Sequence, residues 1–167
     1  TARNTKIIAL TPEYPGATLH PDGTANSGTH TSDFDTTNKQ NYYSWTTSQS
    51  SNQDYDIYVR IPVPKDYEAL VSSPQICFWV YSSDTTNGTI TTTFYDTAGT
   101  AQTATAVTPT SASTWQKKCS TNIGGTINAT ATDTTSNNYV TVLIHMQSPA
   151  SGDVRIGEFS FDYLSIF

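Results

Sequence analysis

Residues 55–61, with the sequence YDIYVRI, alternate apolar and polar side chains without interruption. Successive side chains of a β-strand point to opposite faces, so a period of two predicts a strand with one buried and one exposed face. Pro62 and Pro64 follow, and they should end the strand because proline cannot donate a ladder hydrogen bond. This segment therefore favours a sheet with a solvated outer surface.

Similar patterns recur along the chain, separated by turn signals such as Asn87-Gly88. Tyr42 begins one further strand, and others are predicted over residues 6–10, 75–81, 89–95, 115–119, 140–146 and 154–167. Residues 65–70 are interpreted as one helical turn and residues 126–138 as a long exposed loop. Gly157 and Glu158 interrupt the last strand and predict a bulge.

About eight strands with essentially no helix predict an all-β fold, a two-sheet antiparallel β-sandwich and most simply a jelly roll. A length of 167 residues suits one domain spanning residues 1–167. Prolines and glycines between residues 12 and 23 impose turns. We therefore expect an N-terminal arm, about residues 1–40, to wrap over the sandwich.

Charged residues make up only 13% of the chain, whereas it contains 31 Thr and 18 Ser. Threonine suits the exposed face of a sheet, so the surface is expected to be coated with hydroxyl groups. The net charge of −6 disfavours nucleic-acid binding, because it provides no electrostatic attraction to phosphates. The sequence has no run of 18 apolar residues, so no membrane insertion is expected.

Cys77 and Cys119 are the two cysteines of the chain. An even pair in a Ser/Thr-rich chain favours a disulfide bond, which would indicate an extracellular or cell-surface location. Two buried free thiols are the alternative interpretation.

The three histidines, His20, His30 and His145, lie in no recognisable catalytic motif. The sequence contains neither a nucleophile elbow nor a zinc-protease helix motif. We therefore predict that the protein is not an enzyme and needs no cofactor.

A calcium site is the one metal site that the sequence suggests. Asp22, Asn26, Asp33 and Asp35 lie close together in the chain with flexible residues between them. Calcium takes six to eight oxygen ligands, which carboxylates and amides supply. These four residues are candidate ligands, although their spacing matches no EF-hand loop.

Aromatic side chains on the sheet surface would stack on sugar rings. Tyr43 and Trp79 are the first candidates, because each is predicted to oppose the apolar phase of its own strand. Trp115 is the third candidate ligand-binding residue. The alternative is that most of these rings fill the core of a sandwich that is poor in Leu and Ile.

Four segments carry a resemblance to a known module: 12–17 (PEYPGA), 31–35 (TSDFD), 41–46 (NYYSWT) and 54–60 (DYDIYVR). They resemble a jelly-roll-like β-sandwich module of large surface or fibre-like proteins from uncultured bacteria. The likeness covers about residues 1–65, and the closing segment 155–163 matches as a generic jelly roll. The resemblance implies architecture and location but no activity, since none is established for that module.

The sequence is compatible with two functions. The first is a non-enzymatic structural or adhesive surface module that packs with copies of itself or with flanking domains of a larger protein. Leu164, Ile166 and Phe167 favour it, because apolar residues at a chain end need a cover. The alternative is a carbohydrate-binding module that takes a glycan on its surface aromatics.

Overall fold

The alternation of residues 55–61 belongs to a strand that runs from Gln53 to Pro62. The structure is a computed structural model that describes residues 3–71, 75–102, 105–120 and 138–166. Within these ranges the chain forms β-strands and no helix. The strands are β1 (Asn4–Leu10), β2 (Ala17–His20), β3 (Thr29–Asp35), β4 (Gln40–Thr46), β5 (Gln53–Pro62), β6 (Tyr67–Leu70), β7 (Ile76–Ser82), β8 (Thr89–Tyr95), β9 (Thr105–Ala106), β10 (Gln116–Ser120), β11 (Tyr139–Ser148) and β12 (Asp153–Ser165).

The strands form two antiparallel sheets. The seven-stranded sheet has the order β10-β7-β12-β4-β3, and β1 and β6 also pair with β12. The five-stranded sheet has the order β2-β5-β11-β8-β9. Their facing side chains pack into one core, so the predicted all-β sandwich of jelly-roll type is confirmed.

The core is built from every second side chain of the central strands. In β5, Ile57 and Val59 are fully buried, and in β11 Val142 and Ile144 pair directly with Val59 and Ile57. From the other sheet, large rings such as Trp45, Phe78 and Phe159 fill the space opposite. These rings supply core volume that a sandwich poor in Leu lacks, while other aromatic side chains, such as Tyr42 and Trp79, stay partly exposed.

Strand β12 contains the bulge that its sequence predicts. Ile156 pairs with Val80, but Phe159 pairs with Phe78. Between these two pairs β12 advances three residues while β7 advances two. The extra residue lies at Gly157–Glu158, where the pairing is interrupted. The extra residue shifts the backbone before Phe159, and the side chain of Phe159 then points into the core.

The N-terminal segment contributes strands to both sheets, since β1 and β3 join the larger sheet and β2 joins the smaller one. Between β1 and β2, Tyr14 is buried and its hydroxyl donates a hydrogen bond to the carbonyl oxygen of Gly157. This contact ties the connection between two strands to the bulge of a third.

One local prediction is wrong. Residues 65–70 do not form a helical turn, because residues 67–70 are strand β6. Leu70 and Ala69 pair with Tyr163 and Leu164, so β6 takes the place beside β12 that β7 leaves. A single helical turn is unstable alone, whereas an open strand edge offers ready hydrogen-bond partners. Of the predicted loop, residues 126–137 lie outside the described ranges, as does Phe167.

No helix in the described ranges is long and apolar enough to cross a membrane.

Candidate functional site

The outer face of the seven-stranded sheet carries a group of aromatic side chains. Its strands direct one phase of side chains into the core, so the other phase faces outward. In this way β4 presents Tyr42, β7 presents Trp79 and Tyr81, and β12 presents Arg155. Each of these side chains is partly exposed, unlike the core residues next to it in sequence.

Trp115, which immediately precedes β10, lies across this face. Its indole centroid is 5.8 Å from the ring of Tyr42 and 5.8 Å from the ring of Tyr81. Its Nε1 donates a hydrogen bond of 2.8 Å to Oδ2 of Asp35 at the end of β3. Contacts from three separate strands therefore hold one partly exposed indole in place.

The carboxylate of Asp35 is itself fixed by hydrogen bonds. It accepts bonds from the backbone amides of Thr37 and Asn38 and from the side-chain amide of Asn38. The backbone and side-chain amides of Asn38, followed by the indole of Trp115, hold the pKa of Asp35 well below its usual value. Asp35 thus stays ionised and remains an acceptor for the indole at any ordinary pH.

Arg155 supplies a planar cation between the two tyrosines. Its Cζ lies 4.3 Å from the ring centroid of Tyr81 and 5.1 Å from that of Tyr42. Its Nε donates to Asp153 at 2.6 Å. We call Trp115, Tyr42, Tyr81 and Arg155 the platform.

A pocket lies beside the platform, and both meet at Gly157. A Cβ atom placed on Gly157 would lie 2.7 Å from Gln40 Oε1, 3.3 Å from Trp79 Cβ and 3.4 Å from Trp115 Cζ3. The absence of a side chain therefore lets these three residues approach the β12 backbone closely. The pocket has a volume of about 230 Å³ and is lined by Thr11, Lys39, Gln40, Asn41, Trp79 and Glu158.

The structure places Trp79 and Trp115 on this face but removes Tyr43 from it. Tyr43 is only 4% exposed, its hydroxyl accepts a hydrogen bond from the backbone amide of Tyr14, and its ring packs edge-on against Tyr14. The prediction that Tyr43 offers a surface ring is wrong, because the inward phase of β4 includes Tyr43 rather than Tyr42.

Three residues of the platform were not selected from the sequence: Tyr42, Tyr81 and Arg155. Tyr81 carries a usable signal, since it lies two residues from Trp79 and therefore on the same face. No sequence pattern brings Tyr42 next to Trp115, or Arg155 between Tyr42 and Tyr81, because these contacts join different strands of a sheet whose order the sequence does not give.

The four candidate calcium ligands do not form one site. Asn26 donates to the backbone oxygen of Asp54, and Asp22 accepts from the amide of Thr24. Asp33 and Asp35 lie at the far end of β3, where Asp35 binds Trp115. In the described ranges no three His, Cys, Asp or Glu side chains converge to hold a metal ion. The separation arises because the extended backbone of β3 carries Asp33 and Asp35 away from Asp22 and Asn26.

The three histidines lie in two places in the fold. His145 Nδ1 lies 2.7 Å from Asp56 Oδ1 on the outer face of the five-stranded sheet, and His20 packs edge-on against Tyr58 nearby. His30 lies between the two sheets, with its ring stacked on Tyr55. His20 and His145 thus flank Asp56 on one face, because β2 and β11 both pair with β5 there, and His30 lies apart from them.

Cys77 and Cys119 form the predicted disulfide bond. They face each other in the antiparallel pairing of β7 with β10, and their Cα atoms are 4.0 Å apart. The bond attaches the edge strand β10, and with it the position of Trp115, to the centre of the sheet.

Comparisons with known proteins give similarity in structure alone. No protein-family model matches the chain, and no curated protein matches it. Among solved structures, it is similar to the carbohydrate-binding module TmCBM61 in complex with β-1,4-galactotriose, with 11% identity and a TM-score of 0.48 over 95% of this chain and 86% of that one.

It is also similar to the family 11 carbohydrate-binding module of cellulosomal cellulase Lic26A-Cel5E of Clostridium thermocellum, with 12% identity and a TM-score of 0.44 over 95% of this chain and 86% of that one. A family 29 module from Piromyces equi shows 14% identity and a TM-score of 0.39 over 96% of this chain and 92% of that one. These similarities concern the β-sandwich, and the properties of the site rest on its own residues.

Proposed function

We propose that this protein is a non-catalytic carbohydrate-binding module that acts outside the cell and binds a glycan on the outer face of its seven-stranded sheet. The observation that carries the proposal is the fixed indole of Trp115, which is partly exposed and held by Asp35, Tyr42 and Tyr81. The disulfide supports the location, because such bonds persist in oxidising compartments.

The chemistry of the platform suits a sugar ring. One face of a pyranose presents C–H groups, which pack on an aromatic surface, while its rim presents hydroxyl groups that need planar polar partners. Trp115 supplies the aromatic surface and Arg155 supplies N–H donors beside it. An uncharged ligand of this kind requires no strongly charged site.

The rigidity of the platform also favours binding. Ordering a free side chain on association costs about 0.5–1.5 kcal/mol, and that cost is reduced when the side chain is already held. Trp115 is held by a hydrogen bond to an ionised carboxylate, and Arg155 by Asp153. The folded protein therefore presents a prepared surface rather than one that must form around the ligand.

A glycan array followed by titration calorimetry tests the proposal. Trp115→Ala should weaken the binding of any glycan hit by about 1–3 kcal/mol, or roughly 5–150-fold, as removal of a stacking ring does elsewhere. Tyr139→Ala is the matched control, because Tyr139 is an exposed ring that lies against Arg60 rather than the platform. A blank array, or equal loss in both variants, would refute the proposal.

A self-associating structural or adhesive module is the second candidate. Among the described strands β1 pairs only with β12, and Ile7 on β1 is 64% exposed. A free strand edge with an exposed apolar side chain is a route to strand addition from another copy. Light scattering should then give a mass above that of a monomer, and Ile7→Lys should reduce it. A monomeric wild type at high concentration would exclude this candidate.

A further inference from the structure

We infer that the pocket beside the platform is a second subsite, which takes one uncharged pyranose residue, so that the ligand is a neutral oligosaccharide of at least two units. This inference rests on the proposed function, since it assigns a ligand class to the same face. It is carried by the volume of the pocket, the hydrogen-bonding groups that line it and the charges around it.

The volume limits what can enter. About 230 Å³ corresponds to on the order of eight water molecules at roughly 30 Å³ each. That space is about the size of a single sugar ring with its hydroxyl groups, and the pocket opens onto the surface. A longer ligand must therefore extend out of the pocket.

The platform is the surface onto which it would extend. Gln40 and Trp79 line the pocket, Trp115 belongs to the platform, and all three converge on the backbone at Gly157. Residue 157 places no side chain between them, because it has no Cβ. A sugar in the pocket thus lies next to the indole that would hold its neighbour.

The lining groups complement hydroxyls in both directions. Lys39 donates only, the carboxylate group of Glu158 supplies acceptor oxygens, and the amides of Gln40 and Asn41 do both. Neighbouring sugar hydroxyls also donate and accept, so each finds a counterpart. Trp79 adds an apolar surface for the C–H groups of the ring.

Gln40 provides the most specific observation. Its Oε1 is buried and has no hydrogen-bond partner among the described residues. A buried acceptor without a partner is unfavourable, so native structures leave few of them. A ligand hydroxyl that enters the pocket, with a small rotation of the amide, would supply the missing donor.

The surrounding charges select against an acidic sugar. Asp33, Asp35 and Asp153 all act on the hydroxyl of Tyr42 and raise its pKa, behind the larger effect of burial. Arg155 is the cation that opposes them there. In the pocket itself, the positive charge of Lys39 offsets the negative charge of Glu158. With Lys117 beside Trp79 included, acidic groups still outnumber basic ones on this face. The surface therefore repels a uronate, whereas a neutral hexose meets no such repulsion.

The experiment is calorimetry with cello-, xylo-, manno- and galacto-oligosaccharides of one to four units, together with oligogalacturonate of matched length. For the series that binds, affinity should rise about ten-fold or more between one unit and two. Gln40→Leu and the isosteric Glu158→Gln should each weaken binding of the two- to four-unit ligands about five-fold or more. Gln147→Leu, on the outer face of the other sheet, should leave it unchanged, with circular dichroism and thermal melts showing that each variant folds.

The outcomes separate the two proposals. If wild type binds but affinity does not depend on length, or if Gln40→Leu and Glu158→Gln bind as tightly as wild type, the pocket is not a subsite and the platform alone accounts for binding. Tighter binding of oligogalacturonate than of every neutral series would overturn the charge selection. If no neutral or acidic oligosaccharide binds wild type, the proposed function fails and this inference fails with it.

Discussion

Loss of the disulfide should destabilise this protein by an amount that its position in the chain determines. Cys77 and Cys119 are separated by 42 residues, and the bond closes that loop in the unfolded chain. Loop-closure entropy for this length corresponds to about 4 kcal/mol at 25 °C. We therefore expect the double variant Cys77→Ala/Cys119→Ala to lose about 4 kcal/mol of unfolding free energy.

Urea unfolding, followed by tryptophan fluorescence and circular dichroism, measures the effect. With a slope of about 2 kcal/mol/M, the unfolding midpoint should fall by about 2 M. Alanine suits the test because Cys77 is buried between β10 and β12, where a hydroxyl would need a partner. Wild type kept reduced during unfolding is the control and should share the lower midpoint. A double variant whose midpoint equals that of oxidised wild type would refute the loop-closure argument.

Three further measurements test the packing. Burial lowers the pKa of His30 below its usual value of 6.5, so the unfolded chain binds the proton first. The stability that neutral His30 contributes should be fully present above pH about 6.5 and should decrease as the pH falls toward the folded pKa. The urea midpoint of wild type should therefore be lower at pH about 5.5 than at pH about 7.5, and this difference should be smaller in His30→Phe. Phe78→Ala should cost about 3–5 kcal/mol in urea unfolding, because Phe78 is fully buried and stacks on Phe159. Ile7→Ala should change the same free energy by no more than about 0.5 kcal/mol, because Ile7 is mostly exposed; a large loss would mean that β1 is covered by another chain.

The sequence predicts part of the candidate site. Trp79 and Trp115 were selected, and the outward direction of Trp79 follows from the buried phase of Ile76, Phe78 and Val80. Tyr43 was misassigned because the short segment from Tyr42 to Trp45 has aromatic residues in both phases. Alternation cannot identify the inward phase when both phases are apolar.

The proposed calcium site illustrates a second limit. Asp22, Asn26, Asp33 and Asp35 are close in sequence, but β3 carries Asp33 and Asp35 away from the other two, and the side-chain oxygens of the four residues accept hydrogen bonds from different donors. Proximity in sequence implies proximity in space only where the chain turns back on itself. Residues 29–35 are extended instead.

From its sequence alone, this chain is predicted to be an all-β sandwich with a bulge at Gly157, because strand periodicity and interrupted alternation are local signals. The sequence favours a disulfide between Cys77 and Cys119, and the structure shows it. The tertiary structure alone decided which rings share a face. Trp115 contacts Asp35, Tyr42 and Tyr81, which lie on three different strands, and the order of those strands in the sheet depends on long-range pairing that no local pattern encodes.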